Sequence, residues 1–100
     1  MSGDCPADLS RPEALRVIRA IAADSAGIVL LGHARRRMKE RGFSRADIIG
    51  CLQRGSITEG PFMNARGNWQ VTMSRLAVGE EMQCVAAIDW ATQVLVITVY

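Results

Sequence analysis

Trp69-Gln70-Val71-Thr72-Met73-Ser74 sets apolar and polar residues in strict alternation, the pattern of an antiparallel strand with one buried face and one wet face. Just upstream, Asn64-Ala65-Arg66-Gly67-Asn68 is turn chemistry, and Gly79 marks the next turn downstream. Met82 to Ile88 is almost continuously apolar, as a central strand is, and Val94 to Val99 is apolar without a single charge. Strands in succession with short turns between them predict a meander. Before it, Ile57-Thr58-Glu59 reads as a brief strand ended by Gly60-Pro61.

The N-terminal half changes period. Ser10-Arg11-Pro12-Glu13 has the form of a capping box, and Leu15, Ile18, Ile21 and Ala22 follow at helical spacing with Arg16 and Arg19 on the other face. This spacing predicts a helix over about residues 11–23. Gly27 breaks it, and Ile28-Val29-Leu30-Leu31 reads as a short buried strand. Gly32 and His33 open a second helix with a narrow stripe of Ala34 and Met38, and Gly42 suits its C-terminal stop. Ser44 is placed as the next N-cap with Phe43 as its staple. The third helix buries Ile48, Ile49 and Leu52 and ends at Gly55. Helices first and strands after them predict an α+β fold. Two or three N-terminal helices pack on one face of a curved, mainly antiparallel, four- to five-stranded sheet. Residues 10–100 make one domain behind a flexible tail, residues 1–9.

A chain of 100 residues, 49% hydrophobic, has enough apolar surface for one small core and too much for disorder. The net charge of +2 is unevenly distributed. Residues 33–54 carry seven basic groups against Glu40 and Asp47, while both flanking segments are mildly acidic. A basic block of this kind attracts phosphate, RNA or an acidic protein. The first residues lack the basic and apolar regions of a secretory signal, and no apolar run approaches the roughly 20 residues that span a bilayer. Cys5, Cys51 and Cys84 are odd in number and far apart, so a disulfide framework is not expected and a reducing cytoplasm fits. One histidine and three scattered cysteines give no zinc-ligand spacing, and neither a phosphate-binding Gly-rich loop nor a Gly-x-Ser-x-Gly elbow is present. No metal or cofactor is expected.

The chemistry concentrates in His33-Ala34-Arg35-Arg36-Arg37-Met38-Lys39-Glu40-Arg41-Gly42, which holds the single histidine and five of the twelve basic residues. At 100° per residue, His33, Arg37 and Glu40 share a narrow arc, Ala34, Met38 and Arg41 lie on the core side, and Arg35 and Lys39 face solvent. A helix N-terminus favours a bound anion through its free N–H groups, and nearby guanidinium groups add charge-assisted bonds. His33 therefore has two readings, a packing or capping residue, or an acid–base group beside a bound phosphate. Arg36 and Glu40, at i,i+4, fit a weak surface ion pair. Arg41 fits a structural role through its buried stem. Glu59 and Trp69 read as an edge residue and a core residue. Tyr100 extends the last strand on the parity of Val94, Val96 and Thr98, where its phenol can flank a cleft or finish the sheet.

The string His33-Ala34-x-x-Arg37-Met38-x-x-Arg41-Gly42-Phe43-Ser44, followed by Asp47-Ile48, Leu52-x-x-Gly55, Gly67-x-Trp69 and Val96-Ile97-Thr98-Val99-Tyr100, resembles a widespread bacterial family of small uncharacterised domains related to the RelE/ParE and BrnT-like toxins. The resemblance covers about residues 12–100. It implies helices packed on a curved antiparallel sheet, and it marks His33, Arg37 and Arg41 as signature positions. Some members of the wider superfamily are ribonuclease toxins neutralised by an antitoxin.

Together these readings give two functional expectations. The first is a toxin-like RNA-binding domain, extending to a metal-independent endoribonuclease. In it His33 is acid or base, Arg37 stabilises phosphate charge and Tyr100 assists, while Arg35, Arg36, Lys39 and Arg45 supply nonspecific RNA affinity. The second is a non-catalytic module whose basic helix docks an antitoxin or another acidic protein.

Overall fold

Residue Ser10 starts the ordered helical half. Its hydroxyl accepts from the Glu13 N–H at 3.2 Å while the Glu13 carboxylate accepts from the Ser10 N–H at 3.0 Å. This reciprocal pair satisfies two donors that a helix start leaves open. The computed structural model, which describes residues 5–77 and 79–100, continues from it into α1 (Arg11–Ala22), whose Ala14, Ile18 and Ala22 are buried one turn apart. A short 3-10 turn, Ser25–Gly27, leads into β1 (Ile28–Leu30). Next come α2 (Gly32–Arg41) and α3 (Arg45–Arg54), separated by Gly42 at φ +74°. That left-handed residue lets the Gly42 and Phe43 N–H groups turn back onto the Lys39 and Met38 carbonyls. A second capping box, Ser44 with Asp47, starts α3.

The sheet follows as β2 (Ser56–Met63), β3 (Trp69–Ala77), β4 (Glu80–Asp89) and β5 (Gln93–Val99). Its order is β1-β5-β4-β3-β2, with β1 parallel to β5 and every other pair antiparallel. The fold is thus α+β with an open, mixed, five-stranded sheet. Its helix-side face carries Val71, Met73, Met82, Cys84, Ala86, Ile88, Val94 and Val96, all buried, against α1 and α3. Trp69 belongs to this core, as its parity predicts.

Four features differ from the sequence reading. β2 does not stop at Gly60-Pro61 but runs on to Met63, with register shifts on both sides of Glu59. Gly60 makes this continuation possible: it sits at φ +87°, and a Cβ there would lie 2.6 Å from the Gln70 carbonyl oxygen. Proline is tolerated next to it because β2 is an edge strand. The second difference lies in β5, where Val85 pairs with Thr98 but Ala86 pairs with Val96, leaving Ile97 as an extra residue. A bulge of this kind switches parity, so Val99 rather than Thr98 is buried and Tyr100 falls on the opposite side, 47% exposed. Third, Pro6 and Leu9, within the segment read as a tail, contact the core. Residues 1–4 lie outside the described residues, but Leu9 is buried and the Pro6 carbonyl accepts from the Trp69 indole at 3.0 Å. A buried indole N–H needs such a partner.

The fourth concerns the sheet edge. β1 ends at Leu30, opposite Val96, and the Leu31 N–H still reaches the Val96 carbonyl at 3.1 Å. From there α2 replaces a strand beside β5. Ala34, fully buried, is small enough for this close approach.

Candidate functional site

The site is built where α2 meets the end of β5. Leu31 is the N-cap of α2 and gives no side-chain cap, so the first N–H groups of the helix are left to water or an anion. His33 lies in that first turn, exposed, with its Nδ1 3.4 Å from the Arg36 guanidinium one turn on. A guanidinium can only donate, so a hydrogen bond here takes the ring nitrogen as its acceptor.

The five cations of α2 divide by partner. Arg37 is half-buried: its Nε donates to the Val99 carbonyl at 3.3 Å and its Nη1 to Glu40 at 3.2 Å. Glu40 therefore pairs with Arg37 at i,i+3, not with Arg36 at i,i+4 as the spacing suggests. Arg41 lies over the Phe43 ring at 5.6 Å and reaches Glu80 at 4.0 Å, which ties α2 to the start of β4. Among the described residues Arg35, Arg36 and Lys39 are exposed and form no ion pair. Beyond α2, Arg45 donates to the Ser25 and Ile28 carbonyls at 3.2 and 3.4 Å, so its guanidinium fastens α3 to the 3-10 turn and to the first residue of β1.

The structure brings Arg37 and the end of β5 together. Val99, held by Arg37, precedes Tyr100, whose N–H and carbonyl pair with Gln83 on β4 at 2.8 and 3.3 Å. Tyr100 is thus fixed by its backbone while its ring stands in solvent. Among the described residues the phenol makes no hydrogen bond to His33 or Arg37. Glu59 accepts from the Thr72 hydroxyl at 3.2 Å across the β2–β3 pair, an edge-strand role.

Other reactive groups are removed from this region. Cys51 on α3 and Cys84 on β4 are fully buried. The Cys51 thiol beside it and then burial push the Cys84 thiol far above the ordinary thiol range, so it is inert as a nucleophile. Among the described residues no cluster of His, Cys, Asp or Glu is placed to hold a metal. Among the described residues no helix is long and apolar enough to cross a membrane.

One region escapes the sequence reading altogether. On the sheet face away from the helices, Leu31, Ala87, Leu95 and Ile97 line a trough beside the Asn64–Asn68 turn. Periodicity marks these positions as apolar, but only the strand order makes them neighbours.

A domain-family description matches residues 30–100, which is α2, α3, most of the sheet and the final residue of β1. The chain belongs to the DUF4258 family, a domain of unknown function. The match takes in every candidate residue described above. It excludes α1, so the DUF4258 portion carries the basic helix and the meander while α1 supplies additional cover for the core. No curated protein and no solved structure matches the chain.

Proposed function

We propose that this DUF4258 domain binds RNA through α2 and serves as the toxin-like member of a toxin–antitoxin pair, with metal-independent cleavage as its reaction. The observation that carries this reading is the set of three exposed cations, Arg35, Arg36 and Lys39, that form no ion pair among the described residues. An ordinary surface helix interleaves such charges with carboxylates, whereas α2 offers only Glu40, already held by Arg37. Unpaired cations on one helix suit a polyanion, whose phosphates release counterions as they are neutralised.

The resemblance of the His33–Ser44 string to RelE/ParE-like toxins suggests the catalytic part of this reading. His33 either takes the proton from the attacking 2′-hydroxyl as its bond to phosphorus forms or gives a proton to the 5′-oxygen as its bond to phosphorus breaks, Arg37 offsets the charge that builds on the phosphate, and Tyr100 assists from the end of β5. Arg45 adds to the local positive field from the carbonyls that hold it.

The test is fluorescence anisotropy of a labelled single-stranded RNA across a salt series. Wild type should bind more weakly as salt rises, and the triple variant Arg35→Glu, Arg36→Glu, Lys39→Glu should lose about two units of the log–log salt slope, at roughly 0.7 per phosphate contact. Unchanged affinity in that variant would overturn the reading. Gel analysis of the same RNA should show cleavage by wild type and none by His33→Ala.

Docking of an acidic protein on α2 without catalysis draws on the same charges, and a stable acidic protein partner in a pull-down, together with no RNA cleavage by wild type, would favour it.

A further inference from the structure

Across the sheet face turned away from the helices runs a trough of about 420 Å³. Gln70, Ala87 and Leu95 are opposite one another on β3, β4 and β5, and Ala87, buried, forms the base beneath its two longer, half-buried neighbours. Leu31, 38% exposed, and Ile97 close one end. The β2–β3 turn closes the other. Asn64 shapes that turn: its Oδ1 accepts from the Arg66 and Asn68 N–H groups, and its Nδ2 donates to Gln70 Oε1, all at 3.0 Å. The Gln70 carbonyl end is thereby fixed, and its Nε2 donors have no partner among the described residues.

The lining selects among occupants. No aromatic ring lies in the trough to stack a nucleobase. Its floor is aliphatic, its wall is amide, and its one charged group is Arg66, with no carboxylate. A volume of this size is in the range of roughly 300–1,000 Å³ that takes a compact group bodily.

We propose that this trough docks a bulky apolar side chain from an acidic peptide segment of a partner protein. The apolar anchor seats against Leu31, Leu95 and Ile97, Gln70 Nε2 donates to a carbonyl of the bound backbone, and a flanking carboxylate meets Arg66. The site lies on the sheet rather than on the outer side of α2, so it stands independently of RNA binding.

A phage-displayed library of random dodecapeptides, selected on the full chain, tests this. Enriched sequences should converge on one large aliphatic or aromatic residue flanked by Asp and Glu. A synthetic peptide of that sequence should shift the backbone amide resonances of Gln70, Ala87, Leu95 and Ile97. Ala87→Leu should weaken it at least about tenfold, the scale of a lost anchor. Arg66→Glu, an exposed turn change, should weaken the acidic peptide and strengthen its Lys-substituted counterpart, a reversal that impaired folding does not produce. The proposal is overturned by failure to converge, by shifts confined to α2, by equal affinity in Ala87→Leu, by a single-stranded RNA displacing the peptide at the trough amides, or by those amides shifting with protein concentration alone, which would make a second copy the occupant.

Discussion

Arg37 and Val99, separated by 62 positions in the chain, meet where the guanidinium Nε donates to the strand carbonyl at 3.3 Å. The carbonyl belongs to the part of β5 that β1 is too short to cover. Arg37 thus does for the sheet edge what a further strand residue would do, and it couples the basic helix to Tyr100.

Loss of this bond has a measurable cost. Arg37→Ala should lower unfolding stability by about 1–2 kcal/mol, the value of a charged hydrogen bond reduced for partial exposure. Glu40→Ala removes only an exposed i,i+3 pair and should stay within about 0.5 kcal/mol. Arg37→Lys keeps the charge without the planar fork, so it should retain RNA affinity while losing part of the stability. Urea denaturation beside RNA anisotropy separates the two. Equal stability of Arg37→Ala and wild type would remove Arg37 from the α2–β5 connection.

A pH dependence follows from α1. The Ser10 N–H first, then the Ser10 hydroxyl, with Arg16 adding, hold the Glu13 carboxyl below its ordinary value. Because the folded value is the lower one, the stabilisation is present above the unfolded carboxylate pKa, about 4.3, and is lost as pH falls through the folded value. Glu13→Gln should therefore melt below wild type at neutral pH, with the gap closing as the pH drops under about 4. A gap of constant size would exclude the capping carboxylate as its source.

Local signals made the helices and the meander legible. The Ser10 box, the Gly42 stop and the alternation from Trp69 to Ser74 each act within a few residues, and each is found in place. Placement of β1 beside β5 depends on residues more than 60 positions apart, and three apolar residues carry no mark of their partner. The Ile97 bulge is likewise a property of the β4–β5 pairing, so the parity of Tyr100 was not recoverable from β5 alone. For the site, the wheel separated solvent-facing Arg35 and Lys39 from Arg37, but i,i+3 and i,i+4 neighbours are nearly equidistant on a helix. Which arginine takes Glu40 is decided by the Val99 carbonyl that positions Arg37.

Thiol chemistry should sort the cysteines by burial. Cys5 is exposed, whereas Cys51 and Cys84 are enclosed between α3 and the sheet. A disulfide reagent at mildly alkaline pH should modify one thiol at once. The other two should react at least about 1,000-fold more slowly, through opening of a domain of ordinary stability. In denaturant all three should react together. Fast modification of two thiols in the native protein would place α3 in frequent local opening.

Gly50 and Arg75 offer the sharpest test of packing beneath α3. Gly50 is buried in the middle of that helix, a position where glycine costs about 1 kcal/mol relative to alanine. The reason for its presence is Arg75 on β3, whose Nη1 occupies the space that a Cβ at position 50 would fill. The obstructing atom is the far end of a flexible side chain, so Gly50→Ala should displace the guanidinium rather than unfold α3. Two opposing terms then nearly cancel: helix propensity favours alanine, and the displaced guanidinium loses its place against the helix. In an Arg75→Ala background the second term vanishes, and Gly50→Ala should stabilise by about 0.5–1 kcal/mol. A double-mutant cycle by urea denaturation should return a coupling of at least about 0.5 kcal/mol, as expected for residues in direct contact. Strict additivity would show that Arg75 does not rest on Gly50 in solution.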